Sequence, residues 1–241
     1  MDSLAAATAS AAAVSTIGSH FMLDGKTYAR GAELGFAGLD FYVAGRGGVL
    51  GDVDADVVAA AFAFFEPGHV RAQWESGRAV MTPMQAAEAF ADCCSTWAEA
   101  TVPDELDAGR LSELAGAVVA GARVACAPVF AGWRTLPVPS SAKAAAVHHL
   151  NALRELRHGL HAAAIATEGL APIEALSVRS PHMAPLFGWA GTVDTTGLQE
   201  RWEAAEARTN VGIAHAYDAL EEADRDDLVA LAQALHEATG G

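Results

Sequence analysis

Apolar residues recur along most of the chain with the three- and four-residue spacing of an α-helix. Alternating runs of β-branched residues, which are typical of strands, are nearly absent. The pattern therefore predicts a mainly α fold, a multi-helix bundle with helices over more than half of the residues and no sheet of more than two short strands. The predicted helices cover residues 27–44, 54–65, 68–76, 83–100, 104–126, 141–168, 171–178 and 196–237.

One helix start and two loops follow from turn chemistry. Thr82 and Gln85 flank Pro83 with the spacing of a capping box, so a helix should begin at residue 83. Glycines at 45–51, and prolines and glycine at 127–141, make helix continuation costly. The glycines at 45–51 lack the strand-loop-helix setting of a phosphate-binding loop, so we expect a helix ending and a turn there.

Length and composition set the domain organisation. With 241 residues and 52% hydrophobic composition, the chain can bury a core as one large or two small domains. We expect an Ala-rich N-terminal segment at 1–24, which could be flexible, and helical parts at 25–130 and 131–241. The loop at 127–141 could divide two helical layers, and one compact unit is the alternative.

Charge and cysteine usage exclude several classes of partner. The net charge of −15 at pH 7 opposes non-specific attraction to nucleic acid and to anionic membranes. No apolar run is long enough to span a bilayer, and residues 4–14 lack the basic residues that precede a signal peptide's apolar core. Cys93, Cys94 and Cys126 have neither disulfide nor metal-binding spacing and are expected to be reduced, buried thiols. We expect a cytoplasmic protein with no membrane or nucleic-acid partner.

The strongest concentration of chemistry lies in residues 147–164, which read VHHLNALRELRHGLHAAA. At about 100° per helical residue, four side chains fall within an arc of about 100° on one side of this helix. They are Arg154, Arg157, His158 and His161. Arginine binds carboxylate, sulfate or phosphate, and histidine exchanges protons near neutral pH. The arc predicts a site for a small anionic molecule, and a polar face paired to acidic neighbours is the alternative.

If the protein is an enzyme, the same helix supplies the reacting groups. Arg154 and Arg157 would hold an anionic group, and His161 or His148 would move a proton. Glu155 would orient an imidazole, and His148, one heptad earlier, could be its partner. Group transfer, elimination and cyclisation with an anionic leaving group are all compatible with this set.

A second group of candidates lies where aromatic residues surround the run from residue 66 to residue 71. Glu66, His69 and Arg71 bring a carboxylate, an imidazole and a guanidinium to this aromatic surface, which can shift a pKa toward acid-base work. The alternative is a helix corner in which Pro67 starts a helix, Glu66 stabilises its N-terminus and the aromatics form core.

Metal and cofactor motifs are missing. His158 and His161 alone offer two weak ligands, so no metal is expected. The hydrolase, metalloprotease and nucleotide-binding signatures G-x-S-x-G, H-E-x-x-H and the P-loop do not occur, so no cofactor is expected. From Glu200 onward, ten acidic residues and three arginines indicate a solvated helical face.

Three runs carry a resemblance to a known family. They are FFEP at 64–67, L-R-E-x-R-x-x-x-H at 153–161 and EGLAPIEAL at 168–176. With these runs the chain resembles a largely uncharacterised actinobacterial family of helical proteins labelled helix-turn-helix, over about residues 25–210. The positions that match the central motif of that family are His148, Arg154, Glu155, Arg157 and His161, whereas His158 and Leu160 replace glycines.

The resemblance also implies a winged helix, which this chain shortens. Residues 187–189 run almost directly into residues 193–198, where the family has an extra helix and a turn. A degenerate winged-helix remnant is therefore expected. Reading a DNA groove needs a recognition helix with flanking cations, and neither is found.

These observations favour a small-molecule enzyme or binding protein that acts on an anionic metabolite, in specialised metabolism. A ligand-sensing transcriptional regulator of helix-turn-helix ancestry is one alternative. A non-catalytic interaction subunit, docking a partner on its acidic face, is another. Assembly as a homo-oligomer or with a partner subunit stays open.

Overall fold

The protein is helical throughout, as the spacing of its apolar residues predicts. The computed structural model describes residues 1–240, and within them there are twelve α-helices, four short 3₁₀ segments and no strand. The α-helices are α1 (Ser3–His20), α2 (Gly25–Glu33), α3 (Asp40–Gly47), α4 (Ala55–Phe62), α5 (Pro67–Arg78), α6 (Pro83–Thr101), α7 (Ala108–Gly121), α8 (Pro128–Trp133), α9 (Ala142–Thr167), α10 (Pro172–Arg179), α11 (Gln199–Ala214) and α12 (Glu222–Ala238).

Two helices predicted as continuous are broken. The 27–44 prediction is wrong in its middle, because Gly35 and Gly38 adopt positive φ angles of 99° and 48° and end α2 before α3 begins. The 196–237 prediction is interrupted at 215–221, where Tyr217 turns into the core and its hydroxyl lies 2.7 Å from the Ser10 hydroxyl. By contrast, the predicted capping box at Thr82 is confirmed, and α6 begins at Pro83.

The expected loops contain more helix than predicted. Residues 45–47 end α3 and residues 48–50 form a 3₁₀ turn, after which Gly51 takes a φ of 81°. The glycines let α3 and this turn lie against α6: a methyl group would stand 2.7 Å from Phe90 Cβ if added to Gly45, and 2.0 Å from the Pro83 carbonyl oxygen if added to Gly48. The loop expected at 127–141 also contains α8, which buries Phe130 and Trp133.

One hydrophobic core joins the two predicted helical parts. It takes residues from most of the helices between α1 and α12, and α9 lies at its centre, packed against α1, α6, α7, α8 and α11. A second, smaller cluster joins the C-terminal end of α9 to α10 and α11 and contains Ala164, Ile165, Leu170, Ala175 and Ala205. The N-terminal segment contributes to the main core, since α1 buries Ala6, Ala13 and Ile17 in it. Helices α1 and α11 both pack against α9 and also against each other.

Two remaining sequence expectations concern cysteines and membranes. Cys93 and Cys94 are free and buried, as predicted, but Cys126 is exposed on a residue with a φ of 61°. Across residues 1–240, none of the helices combines the length and the apolar character that crossing a bilayer requires.

Candidate functional site

The basic arc of α9 forms one wall of a cavity of about 900 Å³. The four side chains that helical spacing placed on one side of this helix all line the cavity; they are Arg154, Arg157, His158 and His161. Facing walls come from α1, α10, α11 and three residues between α10 and α11, which are Ser180, Met183 and Phe187. A volume of this size is typical of small-molecule sites.

A buried ion pair supports the inner end of this wall. Arg46, on α3, donates from Nε and Nη2 to the two carboxylate oxygens of Glu155, each at 2.8 Å. Both side chains are 0% exposed. The guanidinium also lies 4.5 Å from the centre of the Phe62 ring, which adds a cation-π contact. Burial alone would raise the pKa of Glu155, but the charges of Arg46 and Arg154 outweigh it and lower the pKa to about 2.

Arg154 connects this buried pair to the cavity. Its Nη1 donates to Glu155 Oε1 at 2.6 Å, and its side chain is 18% exposed. Glu155 is already shared with Arg46, so one carboxylate faces two guanidinium groups. Most of the five N–H donors of Arg154 are left without a protein partner, which makes this residue the cation best placed to receive an anion.

Arg157 is more fully engaged. Its Nη1 donates to Asn210 Oδ1 at 2.7 Å and its Nη2 to Glu206 Oε2 at 2.6 Å, both on α11. The side chain is nearly buried. Arg157 therefore anchors α11 to α9, and the alternative interpretation of the arc, pairing to acidic neighbours, describes this residue better than it describes Arg154.

The two histidines of the arc have different surroundings. His158 Nε2 lies 3.2 Å from the Ala61 carbonyl oxygen, so this nitrogen carries the proton. Burial, and after it the charge of Arg46, lowers the pKa of His158 to about 3. His161 Nδ1 instead contacts Thr209 Oγ1 at 3.0 Å and Glu206 Oε1 at 3.2 Å, and burial lowers its pKa. Both imidazoles are therefore neutral at pH 7.

Glu155 and His148 do not reach the cavity. The expected pairing of Glu155 with an imidazole is wrong, because its carboxylate is held by Arg46 and Arg154. His148 is buried elsewhere in the core, with its ring 6.4 Å from Trp133 and 5.5 Å from His149. Geometry thus separates these two candidates from the other residues of the motif.

The candidates at residues 66–71 lie outside the cavity as well. Glu66 caps α5, accepting from the backbone N–H of Gly68 at 2.9 Å and of His69 at 2.6 Å. These hydrogen bonds lower the pKa of Glu66. His69 is packed beneath Gly188, and Arg71 forms a surface ion pair with Asp56 at 2.5 Å. The helix-corner interpretation is the one that the structure shows.

A comparison with protein families gives one match. The model of a helix-turn-helix family matches residues 7–190. The chain belongs to this helix-turn-helix family. No curated protein and no solved structure matches it. The family match includes α1 from residue 7 onward and the whole of α9, but ends before α11. The residues of α11 that contact the basic arc therefore lie outside the part that defines membership of the helix-turn-helix family.

Several residues that line the cavity or support its wall were missed by sequence reasoning. Arg46, which is fully buried behind the wall, lay in a segment taken for a loop. The wall formed by α1 lay in the segment that could have been flexible. On α11, Trp202, Glu206 and Thr209 recur with four- and three-residue spacing. That spacing marks one helical face and could have separated them from the solvated acidic surface.

The polar side chains that the structure describes do not form a group suited to a metal ion. Within residues 1–240 no group of three or more histidine, cysteine or carboxylate side chains is arranged to hold a metal ion. The polar groups that line the cavity are mainly guanidinium, imidazole, amide and hydroxyl groups, with one carboxylate, that of Glu206, and this set suits an organic or inorganic anion better than a cation.

The buried histidines should make the fold sensitive to mild acid. Burial, and after it the charge of His149, lowers the pKa of His148 to about 4, and that of His158 is about 3, against 6.5 in the unfolded chain. Between pH 6.5 and 4 the unfolded state binds more protons than the folded state. Stability is therefore full above pH 6.5 and is lost on going down to pH 4, on the order of 3 kcal/mol for His148 alone.

Urea unfolding at pH 7, 5.5 and 4.5 measures this loss. His148→Gln should flatten the dependence, whereas the same change at the exposed His182 should leave it as in the wild type. An unfolding free energy equal at pH 7 and pH 4.5 would show that these imidazoles are not held neutral.

Proposed function

We propose that the protein binds a small organic anion in the cavity between α1, α9 and α11. The observation that carries this proposal is an excess of cations in a chain of net charge −15. Three guanidinium groups, those of Arg46, Arg154 and Arg157, face only two carboxylates, those of Glu155 and Glu206. A bound anion beside Arg154 would balance this charge.

The remaining walls suit an apolar ligand body. Apolar and aromatic side chains line the cavity opposite the cations; they are Phe64, Leu176, Val178, Met183, Phe187 and Trp202. Hydroxyl groups of α1 add donors and acceptors along one side, at Ser15, Thr16 and Ser19. An apolar pocket with a few placed polar groups is the usual form of a small-molecule site.

A cavity-blocking variant tests the proposal without changing charge. Ala12 lies on the α1 wall, so Ala12→Trp should occupy the space that a ligand needs. The matched control is Ala9→Trp, on an exposed part of α1 that does not line the cavity. The probe is 8-anilinonaphthalene-1-sulfonate, which combines a sulfonate with an aromatic body and fluoresces in apolar surroundings.

We expect the wild type and Ala9→Trp to bind one probe molecule with enhanced fluorescence, and Ala12→Trp to bind none. Near-UV circular dichroism, which reports fixed packing of aromatic side chains, confirms that all three are folded, since partly unfolded chains keep their helical content and also bind this dye. Equal binding by the two tryptophan variants would place the dye elsewhere and overturn the proposal.

A second candidate function is a ligand-sensing regulator, which membership of the helix-turn-helix family favours. Helices α4 and α5 pack together across the turn at 63–66, and Phe64 in that turn lines the cavity. Trp189 Nε1 donates to the Phe64 carbonyl at 2.9 Å, which ties the turn to another cavity-forming segment. A bound ligand could in this way shift α5.

We nevertheless predict no sequence-selective DNA binding. The cations of α5 are already paired, Arg71 with Asp56 and Arg78 with Asp52, and the net charge repels phosphate. Selection from a random duplex library at physiological salt, followed by fluorescence anisotropy, measures this. An enriched sequence that binds far more tightly than a shuffled duplex would make the regulator the leading function.

A further inference from the structure

His161 is held in a defined orientation by α11. Its Nδ1 lies 3.0 Å from Thr209 Oγ1 and 3.2 Å from Glu206 Oε1. The ring stacks on Phe64, with centres 5.6 Å apart and planes at 29°, and meets Trp202 edge-on at 6.4 Å. An imidazole that is hydrogen-bonded through one nitrogen and contacted by two aromatic rings has little rotational freedom.

The hydrogen bonds also fix which nitrogen carries the proton. Thr209 Oγ1 donates to the Ala205 carbonyl at 2.7 Å, so its own proton is used there. It can only accept from His161, and the Glu206 carboxylate can likewise only accept. Nδ1 is therefore the protonated nitrogen. Nε2 is left with a free lone pair and has no hydrogen-bond partner within residues 1–240, and the side chain is 16% exposed on the wall of the cavity.

The spacing along α9 defines the size of ligand that could reach both ends of the site. Arg154 and His161 are seven residues apart, which corresponds to about 10 Å along a helix axis. A free phosphate or sulfate cannot span this distance. An organic anion with an apolar body can place its charge at Arg154 and another group at the imidazole.

We propose that the site is built for proton abstraction: His161 Nε2 takes a proton from a C–H group of an organic anion whose charge lies at Arg154, about 10 Å away. This rests on the proposed function, because the ligand is the anion of that cavity. Glu206 and Thr209 are positioning residues, since they act through the imidazole. In the step the C–H bond breaks, the proton joins Nε2 and the electron pair stays on the ligand as a carbanion or enolate.

Elimination from 5-nitrobenzisoxazole tests the base separately from the anion site. A base removes the C3 proton, the C–H electron pair forms the C≡N bond, and the N–O bond breaks to release a coloured phenolate. The wild type should accelerate this reaction over buffer, and His161→Gln should lower the protein-dependent rate by about 100-fold, a typical contribution of a positioned base. His182→Gln, which removes an exposed imidazole outside the cavity, should retain the wild-type rate.

The pH profile tests the role of Glu206. The rate should rise as His161 loses its proton, with a midpoint below pH 6.5, since burial lowers its pKa. The negative charge of Glu206 raises that pKa and Arg157 lowers it, so Glu206→Gln should move the midpoint to lower pH. An unchanged midpoint would make Glu206 merely structural and overturn its role as a positioning residue.

A measurement on the unaltered protein does not depend on the folding of variants. Two-bond ¹H–¹⁵N spectra of histidine-labelled wild type at pH 7 should show His161 with a protonated Nδ1 and an unprotonated Nε2. The opposite tautomer, or a wild-type elimination rate no greater than that of His161→Gln, would overturn the proposal. If the sulfonate dye binds as proposed but elimination fails, the anion site stands and proton abstraction does not.

Discussion

Glu155→Gln should lower the free energy of unfolding by about 3–5 kcal/mol, the usual cost of leaving a buried charge without its partner. Arg46 would then stay fully buried with no compensating carboxylate. Arg154 would lose its ion pair too. Urea denaturation at pH 7 measures the effect, and it should be the largest of any single polar substitution around the cavity.

Two controls separate this cost from general disruption. Removing both charges, in Arg46→Met with Glu155→Met, should recover much of the loss because neither charge is then orphaned. Glu33→Gln breaks an exposed pair with Arg30, and such pairs contribute about 1 kcal/mol or less. If Glu155→Gln costs no more than Glu33→Gln, the buried pair does not support the site as described.

Arg154→Ala should weaken binding of 8-anilinonaphthalene-1-sulfonate by about 5- to 150-fold, which corresponds to 1–3 kcal/mol for a lost charged hydrogen bond. Most N–H donors of the Arg154 side chain have no partner among the described residues of the protein, so they can bind the sulfonate. Arg157 is a poorer test, since its removal also frees Glu206 and Asn210. Fluorescence titration measures the affinity, with circular dichroism to confirm folding.

Related substitutions sharpen the result. Arg154→Lys should bind with intermediate affinity, because a point charge replaces the attraction but not the planar fork. Arg71→Ala removes a surface arginine outside the cavity and should bind like the wild type. If Arg154→Ala and Arg71→Ala bind equally well, the dye's sulfonate does not lie at Arg154.

The helical class and most element positions followed from local chemistry. The capping box at Thr82 and the apolar spacing of α9 are short-range signals, and the structure contains both. The break after α2 has a local cause, the positive φ angles of Gly35 and Gly38, and these glycines were overlooked within the helical spacing. The break at residues 215–221 was missed because tertiary packing determines it: Tyr217 turns inward to meet Ser10 from the other end of the chain. The inclusion of α1 in the core is a long-range effect of the same kind.

The candidate site could likewise be predicted only in part from the sequence. Helical periodicity alone placed Arg154, Arg157, His158 and His161 on one wall. It could not show that Glu155 faces away from them toward Arg46, a residue 109 positions earlier. The contacts of these residues with α11 could not be predicted from periodicity either. Glu206 differs from the other acidic residues of this region only because α11 packs on α9.

The location of the bound sulfonate dye tests the central claim most directly. A crystal structure of the wild type with 8-anilinonaphthalene-1-sulfonate should show one molecule between α1, α9 and α11. Its sulfonate should lie within hydrogen-bonding distance of Arg154, and its rings against Phe64 and Trp202. Dye bound only at another surface, with this cavity empty at saturating concentration, would contradict the assignment of the cavity as an organic-anion site.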